Sequence, residues 1–338
     1  MNTETLDQPI VADVAVSAPA VVIESATPAV AAVAEGPNPF IALGLDGALV
    51  RAVSDLGYTQ PTEVQAKAIP LAMGSGKADE ASIDLMVSSQ TGSGKTAAFL
   101  LPVLNTLIAQ KAIEAAAEQA EFERQRAQAA ASGEAAPKRA KRKNPMQSRN
   151  FKAAVPGALV LCPTRELAQQ VAQDAIELVK HCKNLRVANV VGGMPYQLQI
   201  AKLQNADLVV ATPGRLLDLQ RSLQIKLDKV QFLVVDEADR MLDLGFADDL
   251  EEVHQMTAQR KQTMMFSATF APRIQQLAMR VMHDGGANVQ KITIATPQQA
   301  REICKIGVFY DSVEETLEKN GFAPNRNGGQ QGYLRKIA

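Results

Sequence analysis

The stretch Leu85-Met86-Val87-Ser88-Ser89-Gln90-Thr91-Gly92-Ser93-Gly94-Lys95-Thr96 decides the fold. A short apolar run closes on a glycine-rich loop, and a Lys-Thr pair then opens a segment with helical patterning. The glycines let backbone N–H groups turn inward around phosphate oxygens, and the helix start adds the positive end of its dipole. In this reading Gln90, Thr91, Gly92, Ser93 and Gly94 form a phosphate cradle. Lys95 reaches the β and γ phosphates of a nucleotide, and the Thr96 hydroxyl suits Mg²⁺. The strict pattern begins with Gly, and Ser89 stands in that place here. A glycine-rich turn before an ordinary helix would have the same local structure without the ligand.

Working outward, five further apolar runs repeat the theme: ALVLC at 158–162, VANVV at 187–191, DLVVAT at 207–212, FLVVD at 232–236 and TMMFSAT at 263–269. Amphipathic segments such as ELAQQVAQDAIELVKHC and APRIQQLAMRVM lie between or after them. Continuous apolar strands alternating with helices specify an α/β fold, a parallel sheet covered on both faces. Ligands of such sheets bind at the carboxyl ends of the strands. Function is therefore expected in the residues immediately C-terminal to each run.

The chain has 338 residues, 46% hydrophobic and 21% charged, which excludes a wholly disordered or collagen-like chain. No apolar run reaches the roughly 18 residues of a membrane span, so none is expected, and no basic residue precedes the N-terminal apolar stretch as in a signal peptide. Cys162, Cys182 and Cys304 are too few and scattered for a disulfide framework or a zinc cluster, so a reducing cytoplasm is the expected location. The net charge of −1 provides no chain-wide basic field.

The charge is uneven, however. Residues 1–36 carry five acidic residues and no Lys or Arg, which reads as a disordered acidic tail. Residues 110–152 read as a charged insertion. It opens with an Ala/Glu/Gln-rich helix, breaks at Ser132-Gly133 and Pro137, and ends in 138–152 with seven basic residues and no acidic one. That basic run is either a solvated loop or a patch that attracts phosphates. The segment GSGKADEASID at 74–84 reads as a surface insertion.

FLVVD ends in Asp236, followed by Glu237, Ala238 and Asp239. A carboxylate closing a buried strand is costly unless it holds a cation. Beside a phosphate loop, Asp236 fits a Mg²⁺ ligand and Glu237 a base that orients the attacking water. An acidic helix N-terminus would account for Asp239 in part.

Asp236-Glu237-Ala238-Asp239 together with SSQTGSGKT resembles the DEAD-box ATP-dependent RNA helicases, over about residues 38–295. The resemblance implies one RecA-like P-loop domain at 37–295, ATP and Mg²⁺ as ligands, and catalytic roles for Lys95, Asp236 and Glu237. Phe40 and the segment Gly57-Tyr58-Thr59-Gln60-Pro61-Thr62-Glu63-Val64-Gln65 are similar to the family's Q motif, at 38–66. The Gln65 amide can donate to and accept from adenine's N6/N7 edge, selecting ATP over GTP. Tyr58 or Phe40 would support the base or the loop.

Three strand-end loops carry small hydroxyls, exposed backbone and one Arg: Pro163-Thr164-Arg165-Glu166, Gly192-Gly193 and Thr212-Pro213-Gly214-Arg215. This chemistry suits sugar-phosphate contacts without base reading. The resemblance makes these loops RNA contacts. It also makes Ser267-Ala268-Thr269 the element that couples hydrolysis to strand separation, its hydroxyls bonding Asp239.

Family members carry a second RecA-like domain with arginine fingers in a His-Arg-x-Gly-Arg motif, and none of His181, His254 and His283 is followed by Arg. Residues 296–338 read as a linker or a truncated stub. The expected function is that of an ATP-dependent RNA helicase, of which this chain supplies the ATP- and RNA-binding half. The rival readings are a non-hydrolysing ATP- and RNA-binding regulator and a P-loop ATPase of another class. Gln65 and the three RNA-type loops count against the last.

Overall fold

The computed structural model describes residues 38–74, 83–90, 92–132 and 152–294, and the backbone of 322–323 and 335–336. The acidic tail, Thr91, the basic run up to residue 151, most of the 74–84 insertion and most of 296–338 lie outside the described residues.

The elements in chain order are α1 (Gly47–Asp55), α2 (Glu63–Met73), β1 (Leu85–Ser88), α3 (Lys95–Ser132), β2 (Ala158–Leu161), α4 (Arg165–Leu178), β3 (Val187–Val190), α5 (Tyr196–Leu203), β4 (Leu208–Ala211), α6 (Pro213–Arg221), β5 (Phe232–Val235), α7 (Ala238–Asp243), α8 (Ala247–Met256), β6 (Gln262–Ser267), α9 (Pro272–Val281) and β7 (Gln290–Thr293). A two-residue pair, β8 (Phe322–Ala323) and β9 (Arg335–Lys336), runs antiparallel.

All six apolar runs are strands. They form a parallel sheet in the order β3-β4-β2-β5-β6-β1-β7, with Val87 opposite Phe266 and Val160 opposite Val234. Successive side chains alternate between two cores. Leu85, Val87, Val160 and Phe266 pack with α1 to α4, whereas Met86, Leu159, Leu161 and Met265 pack with α6 to α9. Burial on both faces is why these strands read as continuous apolar runs.

The seventh strand was not legible. Gln290–Thr293 is an edge strand in which Ile292 alone is buried, so it has no apolar run to announce it.

Helix α3 begins at the phosphate loop and buries Phe99, Leu100, Leu101, Val103, Leu104 and Leu107 against the sheet. From Lys111 to Ser132 it continues, almost entirely exposed, through the Ala/Glu/Gln-rich stretch expected to be helical. This helix corrects one expectation from the sequence. By length and composition it contains a window apolar enough to cross a membrane, but half of that window is buried inside the domain.

Candidate nucleotide and nucleic-acid site

Parallel strands aim their carboxyl ends at one pole of the sheet, and α3, α4 and α6 begin there. Their free N–H groups and dipole ends make that pole attractive to phosphate before any side chain is considered.

In the phosphate loop Gly92 and Gly94 take φ of +78° and +90°, which L side chains adopt only with strain. A Cβ on Gly94 would lie 2.5 Å from the Gln65 amide nitrogen and 2.9 Å from the Thr62 hydroxyl, so glycine is also required by space. Ser89 needs no such freedom. Its N–H donates to the Ser267 carbonyl at 3.2 Å, its Oγ pairs with that of Ser93 at 3.0 Å, and its carbonyl accepts from Lys95 Nζ at 3.0 Å. A side chain therefore takes the place of the pattern's first glycine without backbone strain.

Lys95 is buried and faces the Asp236 carboxylate electrostatically. Asp236 is 3% exposed, and burial pushes its carboxyl up to about 6. Lys95 and the Glu237 N–H, which donates to Asp236 Oδ1 at 3.0 Å, pull the other way. A desolvated carboxylate with so little compensation, beside a glycine cradle and a buried Lys, is the donor set a phosphate-bound divalent cation fits. Thr96 follows Lys95 as the second residue of α3.

Glu237 lies at φ +50°, ψ 54°, a left-handed conformation uncommon for a side-chain-bearing residue. Its carboxylate is 3.4 Å from Arg240. Such strain persists when the surrounding structure fixes it, and it clusters at working sites.

Gln65 is buried at the start of α2. Its Oε1 accepts from the Thr62 N–H at 3.0 Å, completing a capping box, and its Nε2 donates to the Gly94 carbonyl at 3.1 Å. One N–H and one lone pair of the amide remain for a ligand. Phe40 is fully buried in the core with Leu49 and Phe99 and has no face open to a base. Tyr58 is 41% exposed.

The Asp239 link is corrected in detail. Asp239 Oδ2 accepts from the backbone N–H of Ala268 at 3.3 Å, not from a hydroxyl. The Ser267 hydroxyl is buried and without a partner, and Thr269 is exposed. The peptide between Ser267 and Ala268 thus has its carbonyl held by the phosphate loop and its N–H held by Asp239. Ser88 Oγ, not anticipated from sequence, fixes the next carbonyl, that of Ala268, at 2.9 Å.

The three loops stand at the same pole. Pro163 is buried, and Thr164 caps α4 by accepting from the Leu167 N–H at 3.3 Å. Arg165 and Glu166 are exposed, and the Arg165 guanidinium lies over Gly192 and Gly193. A Cβ at Gly193 would sit 2.5 Å from it, so two loops read separately in the sequence form one surface.

Arg215 is engaged within the protein. It donates to Gln199 Oε1 at 3.0 Å and to the Met194 carbonyl at 3.1 Å, and it lies 4.7 Å from the Tyr196 ring centre. It braces the Gly192-Gly193 turn from α6. Tyr196 and Gln199 were missed because they are ordinary helix residues in the sequence. Thr212 precedes α6, Pro213 occupies its first turn, and space is open around Gly214.

The sequence profile of the DEAD/DEAH box helicases matches residues 62–277. DEAD-box ATP-dependent RNA helicase 52A of Oryza sativa subsp. japonica is 42% identical over 244 residues, 71% of this chain and 35% of that protein. ATP-dependent RNA helicase SrmB of Escherichia coli (strain K12) is 36% identical over 282 residues, 83% of this chain and 52% of that protein. This chain therefore spans about a third to a half of the length of these relatives.

Among solved structures, a DEAD box protein from the hyperthermophile Methanococcus jannaschii aligns with a TM-score of 0.55 at 27% identity, covering 84% of this chain and 64% of that one. A hypothetical ATP-dependent RNA helicase from Sulfolobus tokodaii aligns with a TM-score of 0.54 at 32% identity, covering 74% and 57%. The strand order, the glycine cradle, the Asp236-to-Asp239 segment and these matches agree: the chain belongs to the DEAD/DEAH box helicase family and covers its N-terminal RecA-like domain.

Proposed function

We propose that this chain is the ATP- and RNA-binding half of an ATP-dependent RNA helicase. The observation that supports it most is the Ser267–Ala268 peptide. One face of that unit is tied to the phosphate loop and the other to Asp239, so a shift at the phosphates moves the acidic segment. Lys95 leaves the Ser89 carbonyl to bind the β and γ phosphates. Gln65 turns its free N–H and lone pair to adenine. Asp236 and Thr96 would hold Mg²⁺, which would neutralise charge on the phosphates. Glu237 orients and deprotonates the attacking water. Arg165, Thr164 and the helix starts of α4 and α6 hold RNA sugar-phosphate without reading bases.

In-line attack develops charge on the γ-phosphate, and arginine fingers supply roughly 10³–10⁵ in rate where this chemistry uses them. In this family they come from the second RecA-like domain. The 338-residue chain alone should then bind ATP, release phosphate slowly and show little stimulation by RNA. Adding the second domain in trans should restore both rate and stimulation.

The test is titration of a fluorescent ATP analogue. Lys95→Ala should weaken binding at least about 100-fold, roughly 2.7 kcal/mol. Equal affinity in the two proteins would remove the nucleotide-site reading.

A further inference from the structure

We propose that the opposite pole of the sheet, where the strands begin, is a second RNA surface that holds the phosphodiester backbone independently of nucleotide. Lys152, Lys183, Arg186, Lys226, Lys229 and Lys261 stand on the loops that lead into β2, β3, β5 and β6. All six are exposed, and none forms an ion pair with a described residue. Among the described residues of the loops entering the sheet, the exposed acids are Asp228 and Asp284. Asp84 is bound by His283 and Asp207 by Lys111.

Backbone bonds join these loops into one band. Ala154 N–H donates to the Gln224 carbonyl at 3.0 Å and Lys226 N–H to the Ala154 carbonyl at 2.8 Å, which brings the Lys152 and Lys226 loops together. Lys261 N–H donates to the Gln231 carbonyl at 2.7 Å, beside Lys229. From β3 to β6 the sheet crosses four strand spacings, about 19 Å at ~4.8 Å each. That is room for several consecutive phosphates.

In the middle lies a cleft of about 280 Å³, lined by Gln110, Lys111, Gly157, Lys229 and Gln231 and by the acids Asp207 and Glu114, which Lys111 faces at 2.8 and 4.0 Å. Gln110 and Gln231 bond each other reciprocally at 2.7 and 3.0 Å, leaving one N–H on each amide for a phosphate oxygen. No exposed aromatic stands on these loops among the described residues, so contact is to backbone and not to bases. Along α3, Lys95 and Lys111 are about 24 Å apart, and the two surfaces act separately.

The proposal takes its choice of polyanion from the proposed RNA-binding function. The experiment uses the intact chain, a fluorescent oligouridylate of about 20 nucleotides and anisotropy between about 50 and 200 mM salt. The variant is Lys226→Glu/Lys229→Glu/Lys261→Glu. Binding should weaken at least ten-fold at the lower salt. The slope of log affinity against log salt should flatten by about 2, from three contacts at ~0.7 each. The change should be the same with and without an ATP analogue, whose own affinity stays unchanged. An unchanged slope in a variant that keeps its circular dichroism and analogue binding overturns the proposal and leaves the six cations as partners of helix C-termini. Loss of binding to anionic lipid vesicles, with RNA binding intact, also overturns it. Arg165→Ala separates the two readings: if it leaves ATP-dependent RNA binding intact while the triple variant flattens the slope, the strand-end assignment fails and this one stands.

Discussion

The two ends of the sheet treat polar groups in opposite ways. Where the strands begin, the buried charged groups Asp84 and Arg260 are fully engaged within the fold, although Gln204 Nε2 and Gln262 Oε1 lack partners there. Asp84 accepts from the Thr263 N–H at 2.6 Å, from the His283 N–H at 2.8 Å and from His283 Nδ1 at 2.9 Å. Arg260, 4% exposed, donates to Thr263 Oγ1 at 2.6 Å, to the Val281 carbonyl at 2.8 Å and to the Thr257 carbonyl at 3.2 Å, with His254 Nδ1 at 2.8 Å. Where the strands end, Asp236 is desolvated and under-compensated, Glu237 is strained and the Ser267 hydroxyl is orphaned. One end spends its buried charged groups on holding the fold. The other keeps them available for a ligand, which is where local rules are expected to break.

The largest effect should come from breaking the satisfied end. Arg260→Met strands several buried carbonyls and should cost on the order of 3–4 kcal/mol in denaturant unfolding. Its affinity for an ATP analogue should stay within about two-fold. A stable Arg260→Met protein with impaired nucleotide binding would break the contrast.

The next effect sharpens it from the other side. Asp236 titrates near 6 in the folded chain against an ordinary 3.8, so its folded form is favoured by protonation. Stability from this group is full below about 4 and is lost as pH rises through about 6. Without ligand, Asp236→Asn should stabilise the protein at pH 7 by on the order of 2 kcal/mol, and the gain should fade by pH 4. Thermal unfolding of both proteins across that range measures it. A destabilised Asp236→Asn at pH 7 would show that the carboxylate is structural.

The smallest of the three concerns Gln65. Gln65→Ala should narrow the preference for ATP over GTP by roughly 1–2 kcal/mol, read by competition binding. Equal ATP and GTP binding by the wild type would remove the adenine-reading role.

The strand-end pole was largely legible in the sequence because its chemistry is local. Glycines, Lys95 and Thr96 follow one strand, and Asp236 closes another. What joins them was not legible. Ser267 meets Ser89 through backbone groups, and the backbone is the same for every sequence. Arg165 meets Gly193 because β2 and β3 are both neighbours of β4.

The strand-start pole left no trace. Asp84 and His283 are 199 positions apart and carry no motif, and β7 buries only Ile292 at a sheet edge. The expectation that hydroxyls would bind Asp239 failed for the same reason, since Ala268 offers its N–H, not a side chain.

Amide hydrogen exchange with and without a magnesium–ATP analogue tests the division of the sheet most directly. Exchange should slow at the amides of Ser89, Gly94, Glu237 and Ala268, and stay unchanged at Lys226, Lys261 and Thr263. Protection that appears at the strand-start amides, or none at Ser89 and Ala268, would contradict the account.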